Sequence, residues 1–217
     1  MTRRPRRSLT LVTGPASEPV TVAETMAWTR VDDDSEQTLF AQLILAARQA
    51  AEEYLRRALI TQSWKLTLDL SESEFGGRYC DGVYDLPVSA LYGGLPSVVE
   101  LPKGPIQSVT SVATYDADNS STAFASSNYY VDTAGARLIL KSGANWPSNL
   151  RPIAACEITY VAGYGTGASV PQPIKSGMMM HVAAFYEQRG ECDDPTSLPP
   201  GTKRLYDQYR IMGDRLG

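Results

Sequence analysis

The sequence predicts an α+β protein: N-terminal helices, an inserted antiparallel β domain, then a C-terminal helix and an extended tail. Three observations predict it. Apolar residues recur at spacings of three and four before Ile60. They alternate with polar residues in short runs between Trp64 and Val161. Helical spacing returns after Pro171. The expected division is 1–20 as a flexible Arg-rich arm, 21–60 as a helical segment and 61–165 as the β domain. Residues 170–190 form a helix completing the helical part, and 191–217 form the tail.

The arm reading rests on Arg3, Arg4, Arg6 and Arg7 at the start and on Pro5, Pro15 and Pro19, which break any periodicity. Thr21-Val22-Ala23-Glu24 is a capping box. The Thr21 hydroxyl accepts the amide of Glu24, whose carboxylate accepts the amide of Thr21. A short helix to Arg30 follows. Asp34 and Gln37 are expected to cap the next helix, with acidic charge at the positive end of its dipole. Leu39, Leu43, Ala46 or Ala47, Ala50 and Tyr54 make its apolar stripe. Its end is expected near Ala58, with Arg56 and Arg57 in the last turn.

The period changes after Ile60. Trp64, Leu66, Leu68 and Leu70 alternate with polar residues, as in a half-buried strand. Further strands are expected at Val98–Leu101, Ile106–Tyr115, Tyr129–Asp132, Arg137–Leu140 and Cys156–Val161. Turn-rich stretches separate them. Ser71–Ser97, rich in Gly, Ser and Tyr, reads as a long loop or an extra hairpin. Pro171 and Pro173 suit the entry of a helix whose apolar face is Ile174, Met178, Val182 and Phe185. Gly190 is the expected C-cap residue, and Pro195 blocks continuation.

The chain has 217 residues, 43% of them hydrophobic and 20% charged, which is enough for one good-sized domain or two small ones. A net charge of −4 argues against a dedicated nucleic-acid binder. Cys80, Cys156 and Cys192 are too few and too scattered for a disulfide framework, and fit a reducing compartment. No apolar run approaches membrane-spanning length, so no membrane partner is expected. Thr10 interrupts the short run behind Arg6-Arg7, so no secretory signal is expected.

Several constellations resemble reaction centres without completing one. Gly163, Gly165 and Ala168 match G-x-G-x-x-A after a strand. A dinucleotide site needs those glycines to open directly into a helix, and Val170-Pro171-Gln172-Pro173 intervenes; a strand-to-helix bend explains them better. Asp32, Asp34 and Glu36 sit at Ca²⁺-loop spacing, but Gln37 stands where that loop needs Gly and Leu43 where it needs Glu; helix capping is preferred. His181 is the only histidine, so a histidine-rich metal site is excluded, and it reads as a packed or interface residue. Tyr129, Tyr130 and Tyr92 could stack bases, yet no Arg or Lys is interleaved with them, which favours packing. No catalytic, metal or cofactor site is expected.

The tail is the favoured contact site. Leu198-Pro199-Pro200-Gly201 is stiff, and Lys203, Arg204, Tyr206, Tyr209 and Arg210 follow. Aromatic residues and Arg dominate binding hot spots. The competing reading is that the tail packs back on its own domain. The Arg cluster at the start is either a solvated terminus or a contact for phosphates or an acidic partner.

The order of these motifs resembles the head-to-tail connector (adaptor) proteins of long-tailed phages and phage-like gene transfer agents. The matching stretches include Thr21–Glu24 with Arg30–Asp34, and the Ala-rich helix running into Tyr54–Trp64. Leu101–Val109, Asn128–Asp132, Trp146-Pro147, Tyr160–Gly165, Val170–Lys175 and Phe185–Arg189 complete the set. The resemblance implies a non-enzymatic ring of twelve subunits below the capsid portal, followed by further neck or tail proteins and surrounding a DNA channel. It implies a place in the neck of a virion or phage-like particle assembled in the bacterial cytoplasm. It also implies that the C-terminal segment reaches the portal protein, through Leu198, Pro199, Leu205, Tyr206, Tyr209 and Arg210. A rival reading is a DNA-binding accessory factor acting through Arg3, Arg4, Arg6 and Arg7. An enzyme with a phosphate cradle at Gly163–Gly167 is a third.

Overall fold

The computed structural model describes residues 7–72, 92–188 and 198–211. They divide into two compact units. A β unit draws on Met1–Thr13, Ser63–Leu101 and Ile106–Val161; a helical unit draws on Gly14–Gln62, Pro102–Pro105 and Ala162–Gly217. The α+β class and antiparallel pairing follow the sequence reading.

The helical unit begins with α1 (Val22–Thr29), closed at its start by the expected capping box. The Thr21 amide reaches Glu24 Oε2 at 2.7 Å, and the Glu24 amide reaches Thr21 Oγ1 at 3.1 Å. Arg30 ends the helix in the left-handed region at φ 57°. Asp33, rather than Asp34, then caps a short 3₁₀ turn at Asp34–Glu36 by accepting the Ser35 amide at 2.9 Å. Asp34 accepts the Gln37 side-chain amide at 2.8 Å. The helix α2 spans Gln37–Leu55, and left-handed Arg56 terminates it. Arg56 and Arg57 therefore lie beyond its last turn, which corrects the expected end near Ala58.

The stripe expected on α2 is also corrected. The buried line is Phe40, Ile44, Ala47, Ala51 and Leu55, one residue round from Leu39, Leu43 and Ala50. An Ala-rich helix offers two nearly equal stripes, and the core takes the one carrying Phe40 because it buries the larger apolar area. Leu39 and Leu45 are left on the surface.

Helix α3 (Gln172–Gln188) buries Ile174, Met178 and Val182 on one face, as its spacing predicts. Gly190 and Pro195 lie outside the described residues. The tail contains a helix, α4 (Pro200–Asp207), where an extended segment was expected. Leu198-Pro199-Pro200-Gly201 reads as stiff, but Pro in the first turn of a helix gives up only an amide that has no helical partner there. These helices share one core that includes Phe40, Leu59, Ile174, Met178, Val182 and Tyr206.

The β unit holds a five-stranded sheet ordered β1-β2-β10-β6-β7. Its strands are β1 (Arg7–Thr13), β2 (Gln62–Leu68), β6 (Ile106–Tyr115), β7 (Ser121–Ala123) and β10 (Cys156–Ala162). A second sheet, ordered β5-β9-β8, comprises β5 (Val98–Glu100), β8 (Tyr129–Asp132) and β9 (Arg137–Leu140). The pair β3 (Ser71–Glu72) and β4 (Tyr92–Gly93) is antiparallel; residues 73–91, most of the stretch expected as a long loop or an extra hairpin, lie outside the described residues. In β10, Cys156, Ile158, Tyr160 and Ala162 are fully buried and alternate with half-buried residues, as a central strand requires. Phe124, just after β7, stacks on Trp146 with ring centroids 4.6 Å apart and on Tyr129 at 6.2 Å.

The flexible arm expected over 1–20 is corrected for its described part. Arg7–Thr13 is a strand antiparallel to β2, with Leu9 opposite Leu66 and Leu11 opposite Trp64. Pro19 and Val20 are buried, and Glu18 pairs with Arg48 at 2.7 Å. The alternation Leu9, Leu11 was masked by the flanking Arg and Pro residues, and the partner residues lie 50 to 61 positions away. Arg3, Arg4 and Arg6 lie outside the described residues.

Candidate docking surfaces

The tail residues divide into buried anchors and surface groups. Thr202 and Tyr206 are fully buried. The Thr202 hydroxyl donates to the Gly177 carbonyl at 3.2 Å. The Tyr206 ring lies against Gly177 so closely that an added Cβ there would come within 2.5 Å of Cε1. Met180 meets Gly201 in the same way, at 2.4 Å from an added Cβ. Two glycines, one on each helix, thus allow α3 and α4 to approach, and aromatic and methionine side chains fill the space.

From the end of α4 onward the chain is pinned by polar contacts. Tyr54 donates its hydroxyl to Asp207 at 2.5 Å, and this bond, with burial second, raises the Tyr54 phenol above its ordinary range. The Arg57 guanidinium donates to the Tyr209 carbonyl at 2.6 Å, and the Ile211 amide donates to the Leu55 carbonyl at 3.1 Å. The Arg210 guanidinium sits 4.6 Å from the centre of the Tyr54 ring. That is cation–π distance.

Of the six tail residues predicted as contacts, Tyr206 is therefore interior to its own chain. Leu198, Pro199, Leu205 and Tyr209 are half-buried, and Arg210 is exposed. Leu198 and Tyr209 pack at the margin of the helical core. Lys203 and Arg204 are exposed on α4. Arg7 is half-buried at the end of β1, opposite Leu68.

A second surface lies on α2. Thr38, Leu39, Ala41, Gln42, Leu45, Ala46 and Gln49 are exposed, and none is charged. Trp28 on α1 is 52% exposed. Sequence reasoning missed this surface because it assigned Leu39 to the core; the signal was the absence of charge over Gln37–Ala47.

The chain was compared with known proteins. No family model matches it, and no curated protein does. Among solved structures, it is similar to a chain in the neck of an empty gene transfer agent (GTA) particle computed with C6 symmetry. The identity is 23%, with 96% of this chain and 99% of that chain covered and a TM-score of 0.67. A chain in the virion of a native GTA particle gives 21% identity, 95% and 98% coverage and a TM-score of 0.66. A chain in the neck of a native GTA particle computed with C12 symmetry gives 23% identity, 96% and 99% coverage and a TM-score of 0.64. This chain has the fold of a GTA neck component.

Within this neck fold, the other constellations find structural explanations. Gly163 and Gly165 have φ of 124° and 119° and form a bend; α3 starts later, at Gln172. An added Cβ at Gly163 would lie 2.3 Å from the Ile60 carbonyl oxygen, so this glycine is demanded by a close backbone approach. Glu36 accepts the Tyr186 hydroxyl, so the acidic group serves packing and capping. Among the described residues, no three His, Cys, Asp or Glu side chains gather as a metal site. His181 is buried and lies against Phe185 with ring centroids 4.2 Å apart; desolvation holds its pKa below the ordinary value. Burial pushes the Cys156 thiol up to about 12, which keeps it protonated and unreactive. Tyr129 is buried and Tyr130 is exposed with Lys141 at 4.9 Å from its ring centre, so the two point to opposite faces of β8. They form no joint platform. The Tyr92 side chain lies outside the described residues.

Proposed function

We propose that this chain is a structural, non-enzymatic neck component of a phage-like particle. It forms a ring below the portal, joins head to tail and surrounds the channel that DNA crosses. The observation that carries the reading is the end-to-end likeness to neck chains, 96% of this chain against 99% of the other. The two symmetries of those necks, C6 and C12, support a ring of copies, with twelve as the proposed number.

In this reading the uncharged face of α2 lies against the neighbouring subunit, where exposed Leu and Ala lose water without stranding a charge. The α4 segment faces the portal protein. Tyr206 contributes as the buried anchor that holds α4, while Leu198, Pro199, Leu205, Tyr209 and Arg210 offer the contact. Downstream neck or tail proteins bind the remaining surfaces, and assembly takes place in the bacterial cytoplasm. The net charge of −4 suits a channel that releases DNA, since few cations are offered to phosphates.

The test is to image particles from cells in which this chain is the only copy of its gene product. The reading expects density for it in a ring between capsid and tail. Tailless capsids of normal appearance are expected when it is deleted. A chain located elsewhere, or normal head–tail joining without it, overturns the reading. Salt-dependent DNA binding lost on deleting residues 1–6 would instead favour the DNA-binding accessory factor.

A further inference from the structure

We propose that the outer edge of β1 pairs with the outer edge of β6 of a second copy, over Ser108–Ser111, so that the five-stranded sheet continues from copy to copy. This rests on the ring reading above and adds which backbone edges meet.

The sheet order leaves β1 at one end. Among the described residues, no strand pairs with its outer side. Edge strands are normally protected by charge, proline, bulges or shortness. β1 has seven residues, one charge (Arg7) and no proline. Its single irregularity falls between Leu11 and Thr13, leaving Arg7–Leu11 in regular register. Leu9 and Leu11 stand opposite Leu66 and Trp64, so they share the sheet face on which Leu66 is buried. Leu11 is nevertheless 45% exposed. Among the described residues, the inward face of this edge is incompletely covered at Leu11.

Among the described residues, the opposite end of the sheet is open as well, along the part of β6 that β7 does not cover. β7 is in register with β6 only over Ala113–Tyr115, and the Phe124 amide extends the pairing to Val112. Ser108, Thr110 and Ser111 are exposed, and the whole of Ile106–Tyr115 carries no charge. Neither edge repels the other. Two unlike open edges at opposite ends of one sheet form a head-to-tail contact, the kind that closes into a ring when the rotation allows. Strand addition supplies its affinity through backbone hydrogen bonds.

The experiment uses particles made with the full chain carrying Thr10→Cys and Ser111→Cys together, two exposed positions on the sheet face that carries Lys65, Glu157 and Tyr115. Within one chain β1 and β6 are separated by β2 and β10. Three interstrand steps place them about 14 Å apart, beyond the roughly 7 Å reach of a disulfide between Cα atoms. A disulfide between these positions therefore joins two copies. The expected result is a reducible ladder of covalent multimers on oxidation, absent from each single variant. Hydrogen exchange on the wild-type chain is the second readout. Amides of residues 7–11 should exchange at least tenfold more slowly in the particle than in the free chain. A ring without the ladder and without that protection overturns the strand pairing alone. A ladder formed instead with Ser121→Cys, or a bond from Thr10→Cys to another particle protein, overturns it too. If no ring exists, the neck reading falls and the pairing falls with it.

Discussion

The buried carboxylate of Glu52 accepts the backbone amide of Leu59 at 2.9 Å, seven residues further along the chain. The same oxygen accepts the Gln62 side chain at 2.6 Å, and the other accepts Arg48 at 3.0 Å. Arg48 in turn reaches Glu18. One side chain on α2 thus fixes the path of the chain as it leaves the helix. Glu52→Ala removes three hydrogen bonds and leaves Arg48 buried with only Glu18, a loss of about 3–5 kcal/mol. Glu52→Gln keeps its size and should lose less. Urea denaturation checks both, and equal stability of Glu52→Ala and wild type would refute the account.

Gly177 is the second stability prediction. Gly→Ala inside a helix ordinarily stabilises by about 1 kcal/mol. Here the new methyl meets the Tyr206 ring, and overpacking costs about 1–3 kcal/mol. Gly177→Ala should therefore lower the Tm and expose α4 to proteolysis. Tyr206→Phe should be neutral or slightly stabilising, because the buried hydroxyl has no hydrogen-bond partner among the described residues. A marked loss with Tyr206→Phe would reveal a bond this packing does not contain.

His181 gives the chain a pH dependence. Desolvation lowers its folded pKa below the unfolded value. The unfolded chain therefore binds the proton more readily, and the neutral form's contribution is full above about pH 6.5. That contribution is lost as the pH falls through the lower folded pKa. His181→Leu should flatten the fall in stability below about pH 6.5. Thermal unfolding across that range checks it; identical slopes for variant and wild type would count against it.

The surface variants separate folding from assembly. Leu39→Glu with Leu45→Glu should leave stability within about 0.5 kcal/mol, as surface changes usually do, while preventing ring formation. Arg210→Glu gives up its contact with the Tyr54 ring, a cost of about 0.5–1 kcal/mol, and should weaken head–tail joining. Calorimetry and particle counts by electron microscopy read the two effects separately. Normal particles from either variant would remove the corresponding surface from the proposal.

Much of this architecture was legible in the residues. The bounds of β6, β8 and β9 follow from alternation between turn residues, because each strand's polarity pattern is local. The α1 capping box and the buried face of α3 were equally plain. What could not be read depends on distant partners. β1 is defined by pairing with β2, and its own composition looks like a disordered terminus. The α2 stripe was misjudged by one position because Ala fills both candidate lines. Tyr206 looked like a docking residue because glycine at position 177, the feature that admits its ring, lies in another helix. The exposed face of α2 was legible only as an absence of charge.

Gly163 donates its amide to the Pro105 carbonyl at 2.9 Å, and Tyr164 donates to Leu59 at 3.1 Å. The points where the chain departs from the helical unit and comes back are therefore stitched side by side. Such a doorway lets the excursion between them be exchanged as a cassette while the scaffold stays shut. A transplant would have to carry residues 7–13 along with it, since that strand, supplied from the far end of the chain, would otherwise be orphaned.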